Sequence, residues 1–452
     1  MLAYRSVRTL VRGAMATFFR DVHVTGRQHI PAEGTRSVIF AGNHPNSLMD
    51  PALVLATSGR IVHFAAKDKL FRPPLGLLLA AVGAVPIQRA MDHGGAPRDN
   101  SHALAALSAI LARGRSTGIF PEGLSHDESQ LQRLRTGAAR LALQTAADHP
   151  SADVVVIPVG LTYKHRARFR SRVLVAYGEP LNVTTADVAD FRAEPFSAAK
   201  TLTDRIDVAI RQLTINAPDW ETLRVLDAVR RMYQPENIGL DERVELARRF
   251  CEGYARVQHE PDVRSLFDDV RTWLDDLDDT GLDDEDLIRA MSPFDLGRRA
   301  AENFVRLGFW LPLALPSLPI HLPFLVGVSL AGVQFAPRTD VVGTTKVMLG
   351  LVLLPCLYIA TPVAVAWTFG IGAGLIAAVV LPLSGIATLR TLERGTSLRR
   401  IARAARAAWS LPVRRDALVN RRNTLEQRIV RAVRAHLPPG MEAMFPRSDD
   451  PT

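Results

Sequence analysis

Cysteine is nearly missing from this 452-residue chain: Cys251 and Cys356 are the only two. That excludes a disulfide framework and fits a reducing compartment, and Cys356 lies inside an apolar run. The first twenty residues lack the uninterrupted apolar core of a secretory signal, because Arg5, Arg8 and Arg12 break it up. Leu2, Tyr4, Val7, Leu10, Val11, Met15, Phe18 and Phe19 fall among those arginines as in a basic amphipathic helix. Such a helix lies on an anionic bilayer or caps the first domain, and the sequence supports both placements.

Charge is missing from two long stretches, residues 307–337 and 347–389. A bilayer crossing needs ~20 apolar residues, so both runs are long enough to enter or cross. The second is long enough for two spans with a turn near Thr368-Phe369-Gly370. The first carries Pro312, Pro316, Pro319 and Pro323 together with His321, which suits a broken or re-entrant helix. His321 is a functional intramembrane group or an interfacial residue, and the interfacial placement is the one expected.

The net charge of +9 is concentrated, not spread. Between Arg390 and Ala435 there are 13 arginines against Glu393, Asp416 and Glu426, which leaves the remainder of the chain close to neutral. Basic charge confined to the segment after an apolar region reads as a juxtamembrane element facing anionic membrane lipid, and argues against nucleic acid as a partner. The arginine-rich side is expected to be cytoplasmic.

Upstream, short apolar strands alternate with helical patterns, as in an α/β domain. Candidate strands are Val22 to Thr25, Val38 to Ala41, Ile61 to Ala65, Val85 to Ile87, Thr117 to Phe120, Val154 to Leu161 and Val173 to Tyr177. Leu104, Leu107, Ile110 and Leu111 share a helical face that belongs to a core, whereas Met91 to Asn100, with Gly94-Gly95 and Pro97, reads as a surface loop. Residues 216–303 are helical and polar. Their acidic run, residues 275–286, resembles a calcium loop only superficially. If Gly281 took the turn position, Leu287 would fall where a bidentate carboxylate is needed, so no metal is expected and a solvated helix face is.

Chemistry concentrates behind the second strand, in Asn43-His44-Pro45-Asn46-Ser47-Leu48-Met49-Asp50-Pro51. A histidine whose second ring nitrogen is held by a carboxylate has a fixed tautomer and can take a proton from a hydroxyl. Asp50-Pro51 is equally a good N-cap and first-turn pair for a helix. Further on, Gly83-Ala84-Val85-Pro86-Ile87-Gln88-Arg89 ends on an arginine, Gly118-Ile119-Phe120-Pro121-Glu122-Gly123-Leu124-Ser125-His126 places a glutamate at a strand end, and the strand from Val154 to Tyr163 is broken by Pro158.

In this order the four blocks resemble those of the glycerolipid acyltransferase superfamily, over about residues 20–215. The resemblance implies an α/β fold, an acyltransferase-like sheet flanked by helices, followed by a helical region and C-terminal membrane helices. The organisation expected is an N-terminal helix (1–19), a catalytic domain (20–215), a polar helical region (216–303), membrane-embedded segments (304–390) and a basic cytoplasmic tail (391–452). It implies His44 as general base for an acceptor hydroxyl, Asp50 as the group that orients it, and Arg89 as a phosphate ligand. Glu122 would bind a glycerol hydroxyl, with Gly123 allowing close backbone approach. Pro158 belongs to the acyl-donor side or only shapes its strand. Acyl-CoA is the implied co-substrate, with no cofactor and no metal, and the catalytic domain would face the cytoplasm.

One feature departs from the commonest pattern: five residues, not four, separate His44 from Asp50. On a regular helix one extra residue rotates a side chain by ~100°, so part of the segment must be loop. The longer spacing is similar to that of glycerol-3-phosphate and dihydroxyacetone-phosphate acyltransferases with C-terminal membrane segments. Glycerol-3-phosphate is therefore the expected acceptor, 1-acylglycerol-3-phosphate the alternative, and a non-catalytic lipid-binding membrane protein the reading from another class.

Overall fold

A computed structural model describes residues 2–73, 75–88, 99–234, 238–279, 284, 287, 293–410 and 412–436. The chain divides into two compact units. The first comprises Met1–Trp220, Gly239–Arg248 and Ala336–Val347; the second comprises Glu221–Ile238, Arg249–Phe335 and Met348–Thr452.

The first unit is built on an eight-stranded sheet of β1 (Phe19–Thr25), β2 (Ser37–Gly42), β3 (Val62–Lys67), β4 (Val85–Ile87), β5 (Ser116–Ile119), β6 (Val154–Tyr163), β7 (Ser171–Tyr177) and β8 (Leu181–Asn182). The order is β1-β7-β6-β2-β5-β3-β4, with β8 also on β6. Pairing is parallel except where β6 meets β7 and β8. The seven expected strands are all present, most of them longer by one or two residues.

The central strands read as continuous apolar runs because both faces are covered. All six residues of β2 are buried. Their side chains alternate between two cores: Val38 and Phe40 join one, Ile39 and Ala41 the other. In β6, Val155, Ile157 and Val159 face the first core while Val154 and Val156 face the second. The first core is completed by α1 (Leu2–Phe18) and α2 (Met49–Thr57), through Tyr4, Met15, Phe18, Leu53 and Val54. The second is completed by α4 (Ser101–Leu111), α5 (Gly137–Asp148) and α7 (Pro195–Arg211), through Leu107, Leu111, Leu141, Leu202 and Ile206. The shorter helices α3 (Leu75–Ala81) and α6 (Thr185–Ala193) follow β3 and β8.

Between the two placements left open for the N-terminal helix, the structure has the cap. The Tyr4 hydroxyl accepts the Val62 N–H at 2.7 Å, and Arg12 donates to the Ala56 carbonyl at 2.9 Å. The expected loop from Met91 to Asn100 lies outside the described residues except for its last two.

The second unit is helical. It takes in most of α8 (Trp220–Tyr233), part of α9 (Leu240–Val257), α10 (Pro261–Asp278), α11 (Pro293–Ala314), α12 (Leu318–Gln334), most of α13 (Val342–Phe369), α14 (Ile371–Ser410) and α15 (Pro412–His436). Two helical stretches, Thr339–Phe369 and Ile371–Arg399, are long and apolar enough to cross a membrane. They part at Gly370, whose φ of 92° is open chiefly to glycine, within the expected turn. The proline-bearing run is a bent pair, Ala300–Ala314 and Leu318–Gln334, at 100° to each other. The bend follows from Pro316 and Pro319, which lack the N–H needed to carry one helix into the next.

Several expectations change here. The arginines of the basic tail are partly consumed within the protein: Arg421 pairs with Asp276 at 2.6 Å, Arg428 with Asp269 at 2.5 Å and Arg422 with buried Asp284 at 2.9 Å. Trp273, fully buried, donates its indole N–H to the Leu418 carbonyl at 3.1 Å, which fixes α15 along α10. The acidic run is therefore a partner for arginine as much as a solvated face, with Asp275 and Asp278 also held by Arg224. Continuous helix α14 runs through the boundary drawn at residue 390. His321 is buried within the helical unit, its Nε2 3.0 Å from the Tyr358 hydroxyl and its Nδ1 3.1 Å from the Ser317 carbonyl.

Two outcomes are expected. Leu53→Ala, at a fully buried position of α2, should cost about 2–5 kcal/mol in denaturant unfolding. Burial holds the His63 imidazole below its ordinary range, against a weaker opposing bond from the Gly83 carbonyl. The unfolded chain therefore takes up this proton first, so the contribution is present above the ordinary imidazole range and is lost as pH falls through the folded-state value. His63→Gln should flatten that acid-side loss in a pH series of thermal melts.

Candidate functional site

The site lies where parallel strands β2 and β5 end at their carboxyl edges, the usual position for ligand chemistry in an α/β sheet. Beyond Gly42 the chain leaves the sheet, and residues 43–48 are irregular. Asn43 prolongs the pairing of β2 with β6 by side chain: its amide nitrogen donates to the Leu161 carbonyl at 3.0 Å and its oxygen accepts the Leu161 N–H at 2.8 Å.

Helix α2 begins at Met49, two residues before the expected start at Pro51, and Leu48 holds the N-cap position without a side-chain cap bond. Asp50 is thus not the N-cap. It sits in the first turn, fully buried, and its carboxylate reaches back over the loop. Oδ2 accepts from His44 Nδ1 at 2.7 Å and from the Asn46 N–H at 2.8 Å. Oδ1 accepts from the Tyr163 hydroxyl at 2.5 Å. The extra residue in the His-to-Asp spacing is absorbed at Ser47, whose φ of 47° is a left-handed conformation that non-glycine residues adopt at a cost.

His44 keeps 18% of its side chain exposed. One ring face is stacked on Phe120, with centroids 4.3 Å apart and planes 12° from parallel. Nδ1 is taken by Asp50, and among the described residues Nε2 has no hydrogen-bond partner. That is the arrangement of a neutral imidazole with Nδ1 protonated and Nε2 free to accept a proton.

Glu122 enters from β5 through the turn Phe120-Pro121-Glu122-Gly123, closed by the Gly123 N–H on the Phe120 carbonyl at 3.0 Å. Gly123 has φ 79°, and a Cβ there would meet the Arg135 side chain at 2.8 Å, so glycine serves both the turn and the close contact. The Glu122 carboxylate is buried and already engaged. Oε1 accepts the His44 N–H at 2.7 Å, and Oε2 accepts from the Gln132 N–H at 2.9 Å and from His126 Nε2. The His126 N–H returns to the His44 carbonyl at 3.2 Å. Glu122 therefore clamps the histidine loop from the β5 side.

Pro158 is buried in β6 opposite Ala41, and its carbonyl accepts the Gly178 N–H at 2.9 Å. It occupies the sheet. Arg89 lies outside the described residues. The structure thus brings His44, Asp50, Glu122 and Gly123 together and adds four residues without an earlier role: Asn43, Asn46, His126 and Tyr163. Tyr163 closed the fourth motif block and His126 the third, so position marked them, although nothing local named their partners. Burial, with the Asp50 charge second, raises the Tyr163 hydroxyl well above the ordinary phenol range and keeps it a proton donor. Among the described residues no cluster of three or more histidine, cysteine or acidic side chains is placed to hold a metal ion.

Two family models match successive parts of the chain. Residues 21–162 match the Acyltransferase family model, and residues 225–441 match the model of the Glycerol-3-phosphate acyltransferase 2 C-terminal domain. An uncharacterized acyltransferase of Schizosaccharomyces pombe is 26% identical over 75% of this chain and 65% of its own length. Glycerol-3-phosphate O-acyltransferase 2 of Saccharomyces cerevisiae is 31% identical over 58% of this chain and 37% of its own length. The chain thus spans less than two thirds of either relative. The solved 1-acyl-sn-glycerophosphate acyltransferase of Thermotoga maritima aligns with TM-score 0.34 and 22% identity, over 46% of this chain and 78% of that one.

Removing the phenol oxygen tests the carboxylate cage. Tyr163→Phe leaves Asp50 Oδ1 buried without its donor and should cost about 1–3 kcal/mol in urea unfolding, with the sheet retained by circular dichroism.

Proposed function

We propose that this chain, which belongs to the glycerolipid acyltransferase superfamily, transfers a fatty acyl group from acyl-CoA to a hydroxyl of glycerol-3-phosphate. The observation that carries the reading is the buried Asp50 carboxylate on His44 Nδ1, with Nε2 left unengaged. In the proposed step Nε2 takes the acceptor hydroxyl proton as that oxygen attacks the thioester carbonyl carbon. A new C–O bond forms, the carbonyl electrons move onto oxygen, and collapse of the tetrahedral intermediate breaks the C–S bond. The imidazolium then returns the proton to the departing CoA thiolate, so no covalent acyl-enzyme is needed. Asp50 holds the tautomer and stabilises the transient imidazolium. Glu122 and Gly123 fix the backbone that carries the base, and Pro158 shapes the β6 edge of the site.

Glycerol-3-phosphate is chosen over 1-acylglycerol-3-phosphate because the C-terminal match, residues 225–441, is to a domain named for a glycerol-3-phosphate acyltransferase. Arg89 is proposed as a ligand for the acceptor phosphate, where its planar fork suits two oxygens. The helices Thr339–Phe369 and Ile371–Arg399 are proposed to cross the membrane, with the bent pair entering and leaving on one side. Arg390, Arg394, Arg399 and Arg400 cluster at the end of the second span, and such a cluster supports a cytoplasmic placement, where acyl-CoA is available.

Full-length protein in detergent or vesicles, given labelled acyl-CoA, should acylate glycerol-3-phosphate in preference to 1-acylglycerol-3-phosphate. His44→Ala should lower kcat by about a hundredfold or more with the fold intact. Full turnover in that variant would remove the general-base role. A wild-type chain that binds lipid and turns over no acceptor would favour the lipid-binding reading.

A further inference from the structure

A short segment distant in sequence from the motif blocks is fitted onto the loop that carries Glu122. Ala336–Val347 lies between α12 and the body of α13, and it belongs to the same compact unit as His44 and Asp50. It contacts the motif loops and the turn that follows β6. The Asp340 carboxylate, 3% exposed, accepts the Ser125 hydroxyl, and its Oδ2 also accepts from Arg338 at 2.9 Å. Arg338 donates to Ser125 Oγ as well, at 3.1 Å. Gly343 stands so close to the histidine loop that a Cβ there would be 3.0 Å from both Asn46 Oδ1 and the Arg166 carbonyl. Lys346, one turn on, donates to the Ala167 carbonyl at 2.9 Å.

The contact with Ser125 is the consequential one. Ser125 separates Glu122 and Gly123 from His126, and His126 bonds both the Glu122 carboxylate and the His44 carbonyl. Glu122 in turn holds the His44 backbone N–H. The position of the base is thus reached from Asp340 in a short chain: Asp340 to Ser125, Ser125 to the adjoining His126, and His126 with Glu122 to His44. A carboxylate buried to this degree needs its donors, because leaving them unmade costs more than making them gains. The Asp340–Arg338–Ser125 triangle therefore fixes one geometry of the 122–126 loop.

We propose that Ala336–Val347 is a built-in part of the acyl-transfer site and that Asp340 is a positioning residue for the His44 base. On this view the apolar C-terminal region does more than attach the protein to a membrane: one of its connecting segments completes the site. The activity part of the proposal rests on the acyltransferase reading above, whereas the structural part does not.

The test compares full-length wild type, Asp340→Ala, Asp340→Asn and Thr339→Ala in the same vesicles. Thr339 is the exposed neighbour and makes no contact used by the clamp. Asp340→Ala should lower kcat by about ten- to a hundredfold, with KM for acyl-CoA and acceptor within about twofold. Asp340→Asn keeps an oxygen for the Ser125 hydroxyl and should recover part of the loss, and Thr339→Ala should match wild type. Amide hydrogen exchange over residues 122–126 should speed up in Asp340→Ala only. The proposal is overturned by a kcat for Asp340→Ala within twofold of wild type, by an equal fall in Thr339→Ala, or by unchanged exchange in the 122–126 loop. If wild type itself transfers no acyl group, the acyltransferase reading fails instead, and the exchange comparison still decides whether Asp340 holds the loop.

Discussion

A single carboxylate buried beside the sheet sets the geometry of everything around it. Asp50 has no exposed surface, and its oxygens gather three donors from two directions: His44 and Asn46 from the loop after β2, and Tyr163 from the end of β6. Burying such a group without donors costs several kcal/mol, so the donors are effectively obligatory. That requirement explains an otherwise costly backbone. Ser47 adopts a left-handed conformation because only a tight reversal lets the first turn of α2 return the carboxylate to the histidine six residues earlier.

The same logic is repeated on the other side of the histidine. Glu122, also buried, binds the His44 N–H and is held by His126 and the Gln132 N–H. One carboxylate thus fixes the ring of His44 and another fixes its backbone, while Phe120 covers one ring face. A general base positioned through both ring and main chain loses little orientation when a hydroxyl arrives, and orientation is where much of a transfer rate is gained. Rigidity at this point is what the arrangement supplies.

Much of this was legible in the chain because it is encoded locally. The seven strands show as apolar runs of the right length, the His44–Asp50 segment as a polar cluster behind one of them, and the break at Gly370 as a glycine within a charge-free stretch. What stayed hidden depends on pairing across large sequence separations. Tyr163 lies 113 residues from Asp50, Asp340 lies 215 from Ser125, and Arg428 lies 159 from Asp269. No periodicity connects such partners. Arginines that read as a lipid-facing cluster prove partly committed to α10, because a charge run states its sign and not its neighbour. The partners of His321 were hidden in the same way: a polar residue in an apolar run does not announce the Tyr358 hydroxyl and the Ser317 carbonyl that hold it inside the helical unit.

Base catalysis at this site turns on which nitrogen of His44 carries the proton, and nitrogen NMR of the ring measures that directly. In full-length protein with labelled histidine at neutral pH, the His44 ring should show a protonated, hydrogen-bonded Nδ1 and an unprotonated Nε2, and the pattern should be lost in Asp50→Ala. A His44 ring protonated at Nε2 and bare at Nδ1 would contradict the account, since the nitrogen facing the open side could not then accept a proton.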